Sequence, residues 1–167
     1  MRTVLLLVLF ASACSDGSGF AGTYEAVSSA RGACDVDPID VPVVPQDLHF
    51  RLDDVDVTGG SLVAYYACVD LDTCEDLYDL ARSFGRAKDD ASGWAGYVSS
   101  AIPSMGCILT HRIRRLRGTA NGVQITTDVY RETDGTLTGP ACDQAVAAER
   151  GTTMPCVEHQ ILAAEAR

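Results

Sequence analysis

Residues 107–117, CILTHRIRRLR, and residues 123–132, VQITTDVYRE, are the clearest hairpin candidate in the chain. Period-two alternation marks strands with one face toward a core and the other toward water. Between them, Ala120-Asn121-Gly122 reads as a three-residue loop with glycine where a left-handed conformation is needed, so the pair predicts a hairpin. That register sets Ile113 opposite Val129 and Arg114 opposite Asp128, apolar on apolar and cation on anion. A two-residue Asn-Gly turn would set Arg114 against Val129, the poorer match.

The same reading extends outward. Leu48, Phe50 and Leu52 share one face of a run over 48–57, with His49, Arg51 and Asp53 on the other. Gly59-Gly60 turns this run into 61–69, a second hairpin. Residues 22–27 read as a first strand, and Pro38, Pro42 and Pro45 mark an extended connector. Thr73-Cys74-Glu75-Asp76 fits a capping box ahead of Leu77, Leu80, Ala81 and Phe84 at helical spacing, which predicts a helix over 74–88. Residues 91–106, rich in glycine and serine, read as a loop carrying Trp94 and Tyr97. Asp134-Gly135 predicts a turn, 141–149 a short helix and 157–163 a last strand. With about six to eight strands, mostly hairpin-connected, the expected class is mainly β, an antiparallel barrel or curved sheet with one or two helices. An α+β arrangement is the alternative.

Phe20-Ala21-Gly22-Thr23-Tyr24 resembles the GxW motif that opens the first strand of lipocalins, with Tyr24 in the tryptophan's place. The late helix before a last strand and the chain length are similar to that family too. The resemblance implies a lipocalin-like β-barrel.

The chain begins with Arg2, the apolar run VLLLVLF over 4–10 and small residues, the pattern of a secretory signal peptide. A helix needs about 20 apolar residues to cross a bilayer, so this run is too short to be a stable span. Ala11-Ser12-Ala13-Cys14 resembles the lipobox of bacterial lipoproteins. That resemblance implies a diacylglyceryl thioether on Cys14, an acyl chain on its amino group and stable anchoring, because several chains hold where one binds marginally. An ordinary signal peptide is the alternative. Ser15, rather than aspartate, follows Cys14, which by the same resemblance favours the outer over the inner membrane of the cell envelope. The expected layout is a leader over 1–13, the lipidated cysteine and a flexible tether over 14–19, and one disulfide-stapled β-rich domain over 20–167. Gly17-Ser18-Gly19-Phe20-Ala21-Gly22 spells a dinucleotide fingerprint, but the expected cleavage site precedes it and β-rich residues follow, so it is set aside.

Seven cysteines are present, and lipid on Cys14 would leave six: Cys34, Cys68, Cys74, Cys107, Cys142 and Cys156. An even number in an oxidising compartment predicts three disulfides. Short loops suggest Cys68 with Cys74 and Cys142 with Cys156, leaving Cys34 with Cys107. There is no CxxC, and His49, His111 and His159 show no ligand spacing with the cysteines, so no metal site or redox dithiol is expected. The acidic stretches Asp35-Val36-Asp37-Pro38-Ile39-Asp40 and Asp70–Asp76 read as solvated loop carboxylates rather than calcium ligands.

The formal net charge is −10, which disfavours nucleic acid as a partner. Against that background Arg112, Arg114, Arg115 and Arg117 stand out as a candidate contact for an anion or an acidic partner. The competing reading pairs Arg112 and Arg114 with Asp128 and Glu132 across the hairpin. There is no GxSxG, HExxH or P-loop, so no catalytic residue and no cofactor are assigned. The expected function is a membrane-anchored, non-enzymatic binding domain for a small apolar ligand or an envelope protein. The alternatives are an interaction lipoprotein without a pocket, and an envelope hydrolase whose histidines, His49 or His111, act in a scattered site.

Overall fold

The computed structural model describes residues 18–87 and 92–167; the expected leader and Cys14, the expected lipidation site, lie outside the described residues. Among the described residues nine strands form one antiparallel sheet: β1 (Gly22–Gly32), β2 (Ile39–Val41), β3 (His49–Val57), β4 (Gly60–Cys68), β5 (Phe84–Arg86), β6 (Trp94–Ser104), β7 (Gly106–Gly118), β8 (Gly122–Asp134) and β9 (Cys156–Ala166). Eight of them close into a barrel because β1 pairs with β3 along one edge and β9 along the other. Short β2 pairs with Ser29–Arg31 on the edge that β3 has left. The eight-strand barrel is compatible with a lipocalin-like barrel. Closure removes the open edges that an antiparallel sheet would otherwise expose.

The interior is built in cross-strand layers, since paired residues on neighbouring strands point to the same face. Tyr24, Phe50 and Tyr65 stack in series with ring centroids 5.4 and 5.1 Å apart, and Leu52, Val63 and Phe84 fill the space beside them with no exposure. On the opposite wall, Leu116 pairs with Ile125, Ile125 with Leu162, and Leu162 with Ser29. The next layer toward the far end from the 119–122 turn runs Arg114, Thr127, Gln160 and Arg31. A β-bulge sets the last member: Val27 has no partner between Ala26 and Ser28, so Ser29 and Arg31 turn inward where unbroken alternation would turn them out.

The barrel is also packed from outside. Helix α2 (Gln144–Arg150), which follows the four-residue α1 (Pro45–Leu48) in the chain, seats Ala147 against Cys107, Leu109 and Met154. Strand β7 is therefore covered on both faces, Leu116 and Arg114 inward, Leu109 and Ile113 outward.

That double coverage explains the hairpin register. Ile113 stands opposite Asp128 and Arg114 opposite Thr127, one residue away from the expected pairing. Residues 119–121 connect the strands, and the turn is closed by the Thr119 amide donating to the Gly122 carbonyl at 2.9 Å, which leaves Ala120 and Asn121 at its tip. With apolar residues required on both faces, matching apolar to apolar across the pair does not select the register.

Two other expectations are corrected. Over the described part of the expected 74–88 helix, residues 74–87, no α-helix forms. The segment is held along β4 by Glu75 and Asp79 amides donating to the Ala67 and Tyr65 carbonyls, then makes a 3-10 turn at Leu80–Arg82 and enters β5. The expected loop over 91–106 contains the eleven-residue β6. Its small residues serve close packing: a Cβ on Gly96 would overlap the Ser83 carbonyl oxygen, and Ala101 packs toward the cluster beneath α2. Gly96→Ala is expected to cost about 1–3 kcal/mol through this overlap, read as a lower midpoint in urea unfolding.

The six described cysteines form three disulfides, Cys34–Cys156, Cys68–Cys74 and Cys107–Cys142. The Cys68–Cys74 pairing agrees with the sequence expectation. The other two exchange partners: barrel closure brings the end of β1 to the start of β9, and the α2 connection folds back over β7. Loop length alone carried neither fact.

Candidate functional site

The four arginines singled out on β7 are divided by the pleat. Arg112 and Arg114 point into the barrel, while Arg115 lies outside, paired with Asp128, and Arg117 is exposed. The expected cross-strand ion pairs of Arg112 and Arg114 with Asp128 and Glu132 are not formed. Asp128 takes Arg115 and His159 Nδ1, the latter at 2.6 Å, and Glu132 takes Arg150. The one-residue register difference moves Asp128 to the outer face, where the inward arginines cannot reach it.

Above the apolar layers the barrel interior opens into a cavity of about 400 Å³. Its walls combine Arg112 and Arg114 from β7 with Thr127 and Val129 from β8 and Glu158 and Gln160 from β9. Arg31 contributes from β1, α1 contributes Gln46 and Asp47, and the 3-10 turn contributes Arg82. A smaller space of about 130 Å³ adjoins it beneath β2 and α1, sharing Arg31 and Gln160 and adding Val41 and Pro42. Pockets that hold small molecules commonly enclose roughly 300–1,000 Å³, so the larger space is of sufficient size.

The charges in this cavity are unevenly satisfied. Arg82 pairs with Asp47 and lies 4.1 Å over the Tyr65 ring, and Arg31 pairs with Glu158 at 3.5 Å. The Asp79 carboxylate accepts from the Ala81 amide, capping the 3-10 turn. Arg114, 8% exposed, donates to the Arg82 carbonyl at 2.6 Å and sits near the Tyr65 and Phe84 rings at 5.4 and 5.1 Å. No carboxylate pairs with Arg114 or Arg112 among the described residues. Burial, and then the charge of Arg82, bring Arg114 down to about 10, against the opposing pull of Tyr65, Asp47 and Asp79. The guanidinium thus remains cationic at neutral pH. Beneath it the Tyr65 hydroxyl is pushed up to about 12, chiefly by burial, and it finds no hydrogen-bond partner of ordinary geometry among the described residues.

The histidines stand apart from this cavity. His49 is half-buried on the outer side of β3, and His159 turns outward to Asp128 while its neighbour Glu158 turns inward. His111 lies outside β7, its Nδ1 2.7 Å from Ser99 Oγ, with the Tyr97 and Tyr130 rings alongside and Gly151 near its Nε2. Among the described residues no carboxylate bonds to it, so Ser99 and His111 lack the third group that orients a nucleophile–base pair. Burial holds His111 below the ordinary histidine value. The unfolded chain therefore takes up the proton first as pH falls. This group's contribution to stability is fully present above the ordinary value and is lost as pH falls from there through the depressed folded value. His111→Gln is expected to flatten that part of the stability–pH curve, measured by thermal unfolding from pH 7.5 to 5.

Sequence reasoning located Arg112 and Arg114 but missed Arg31, Arg82, Thr127 and Gln160. Arg31 depends on a bulge and Arg82 on a turn inside an expected helix, and neither leaves a local pattern. Thr127 and Gln160 carry a weak signal, polar residues at inward positions between apolar ones. The chain matches no protein-family model, no characterised protein and no solved structure.

Proposed function

We propose that this protein is a small-molecule binding barrel tethered to the bacterial cell envelope by lipid on Cys14, and that it acts by binding rather than by catalysis. The observation that carries the binding reading is the cavity of about 400 Å³ that enters the barrel above a filled apolar core. The lipobox resemblance of Ala11-Ser12-Ala13-Cys14 supports the tether, and the disulfides agree with an oxidising compartment.

The ligand chemistry departs from the apolar cargo that the fold class suggested. Phe50, Leu52 and Tyr65 already fill the apolar layers, and a wholly apolar molecule in the mouth would strip water from guanidinium groups without replacing their hydrogen bonds. A ligand with a polar end meets that requirement.

Mass spectrometry on the full chain, extracted gently from its own membranes, tests both parts. The denatured, non-reduced mass is expected to show acylation and the loss of six cysteine hydrogens, and the native mass a small molecule that leaves on unfolding. An unacylated chain would refute the tether; a native mass equal to the denatured one would count against the binding reading. Cys14→Ser is expected to release the folded protein to the soluble fraction, with intact mass confirming that the leader has been cleaved.

A further inference from the structure

We infer that the cavity is an oxyanion site, in which Arg112 and Arg114 grip the carboxylate or phosphate head of a small amphiphilic molecule. The inference rests on the binding reading above and names its ligand class.

Arg112 and Arg114 stand two apart on β7, both inward, so their backbone positions are about 7 Å apart. Two long guanidinium side chains from such positions can converge on one anion, and the planar fork suits two oxygens at once. The layer that contains Arg114 continues through Thr127 and Gln160 to Arg31. Neither Thr127 nor Gln160 makes a side-chain hydrogen bond among the described residues, although both line the cavity. The acids nearby are already engaged: Asp47 by Arg82, Glu158 by Arg31, and Asp79 by the turn it caps. Among the described residues two cations are left without an acidic partner, and a hydroxyl and an amide lie beside them, a set that offers hydrogen-bond donors to an anion.

Arg114 also has a structural role, since its bond to the Arg82 carbonyl fastens the 3-10 turn to the barrel. That bond uses one of five donors and supplies no negative charge. A buried guanidinium without a carboxylate is costly, and an anion bound beside it would offset the cost. Among the described residues Arg112 makes no such structural bond, and it is solvent-exposed at the entrance, where an entering anion can reach it. Val41, Pro42, Val44 and Leu162 line the adjoining space, which gives a short apolar tail a place to lie.

The test uses the full chain in a non-ionic detergent and four probes with the same six-carbon tail: hexanoate, hexyl phosphate, hexanol and hexyltrimethylammonium. Titration calorimetry is expected to show one site for hexanoate or hexyl phosphate, weakening with added salt, and at least about tenfold weaker binding of hexanol and the cation. The stronger of the two anions tells a carboxylate head from a phosphate. Arg112→Gln is expected to weaken the preferred anion by about tenfold or more while leaving the ligand-free unfolding temperature unchanged, which separates a binding role from a structural one. Arg114→Gln is expected to lower both. Hexanol binding as tightly as the anions would overturn the inference while leaving the cavity as a binding site. Binding of none of the four would also overturn it, and the membrane-extracted native mass then decides the binding reading by itself. Unaltered anion affinity in Arg112→Gln would remove the proposed grip.

Discussion

Replacing Cys34 and Cys156 by alanine together is expected to lower stability by about 4–5 kcal/mol, the largest effect of any single bridge. Cross-linking acts mainly by limiting the unfolded chain, and its effect grows with the logarithm of the loop closed. The Cys34–Cys156 separation is 122 residues, against 35 for Cys107–Cys142 and 6 for Cys68–Cys74. The same relation gives roughly 4 kcal/mol for the middle bridge and about 2 kcal/mol for the shortest. Urea unfolding of the three double-alanine proteins, with the other bridges intact, measures the order. Equal losses, or the greatest loss from Cys68–Cys74, would show that native-state contacts rather than chain entropy govern these bridges. The longest bridge also lies beside the site. Cys34 follows Arg31 by three residues and Cys156 precedes Glu158 by two, so the bridge pins the strand ends that hold this ion pair. Anion affinity is expected to fall in the variant under conditions where it remains folded.

Phe50→Ala is expected to cost about 3–5 kcal/mol, the usual toll of a buried phenylalanine deleted from a close-packed core. Phe50 has no exposure and its ring is the middle member of the Tyr24–Phe50–Tyr65 stack. Removing it leaves a void against two rings that cannot both collapse, because each is held on a different strand. The effect reaches the cavity through Tyr65, whose face carries Arg82 at 4.1 Å and lies near Arg114 at 5.4 Å. The thermal midpoint and the hexanoate affinity are therefore expected to fall together in Phe50→Ala. Phe50→Leu, which keeps most of the volume, is expected to lose less than half as much stability. A loss below about 1 kcal/mol for Phe50→Ala would mean that the stack repacks freely, contrary to its close-packed geometry.

The fold class was legible because it depends on local period. Alternation over 48–57 and 107–132, with glycine turns between, is written in neighbouring residues, and the barrel realises it. The failures share one cause, contacts between segments distant in sequence. Leu77, Leu80, Ala81 and Phe84 have helical spacing, yet Leu77 and Leu80 are exposed and Phe84 is a buried strand residue, because β4 offers the segment carbonyls and a disulfide partner. The glycines and serines of β6 look like a loop until Ser83 and α2 are seen to press on them.

By itself the sequence determined a β-rich class, an even set of six bridging cysteines in the described body and an unusual density of arginine on one strand. These follow from composition and from patterns a few residues long. The tertiary structure decided which arginines face inward, which cysteines meet and where polar side chains share a space. A one-residue change in register exchanges the two faces of a strand, and one bulge in β1 turned Arg31 from solvent to cavity. Both choices are set by the summed packing of eight strands and an outer helix, a quantity that no local stretch contains.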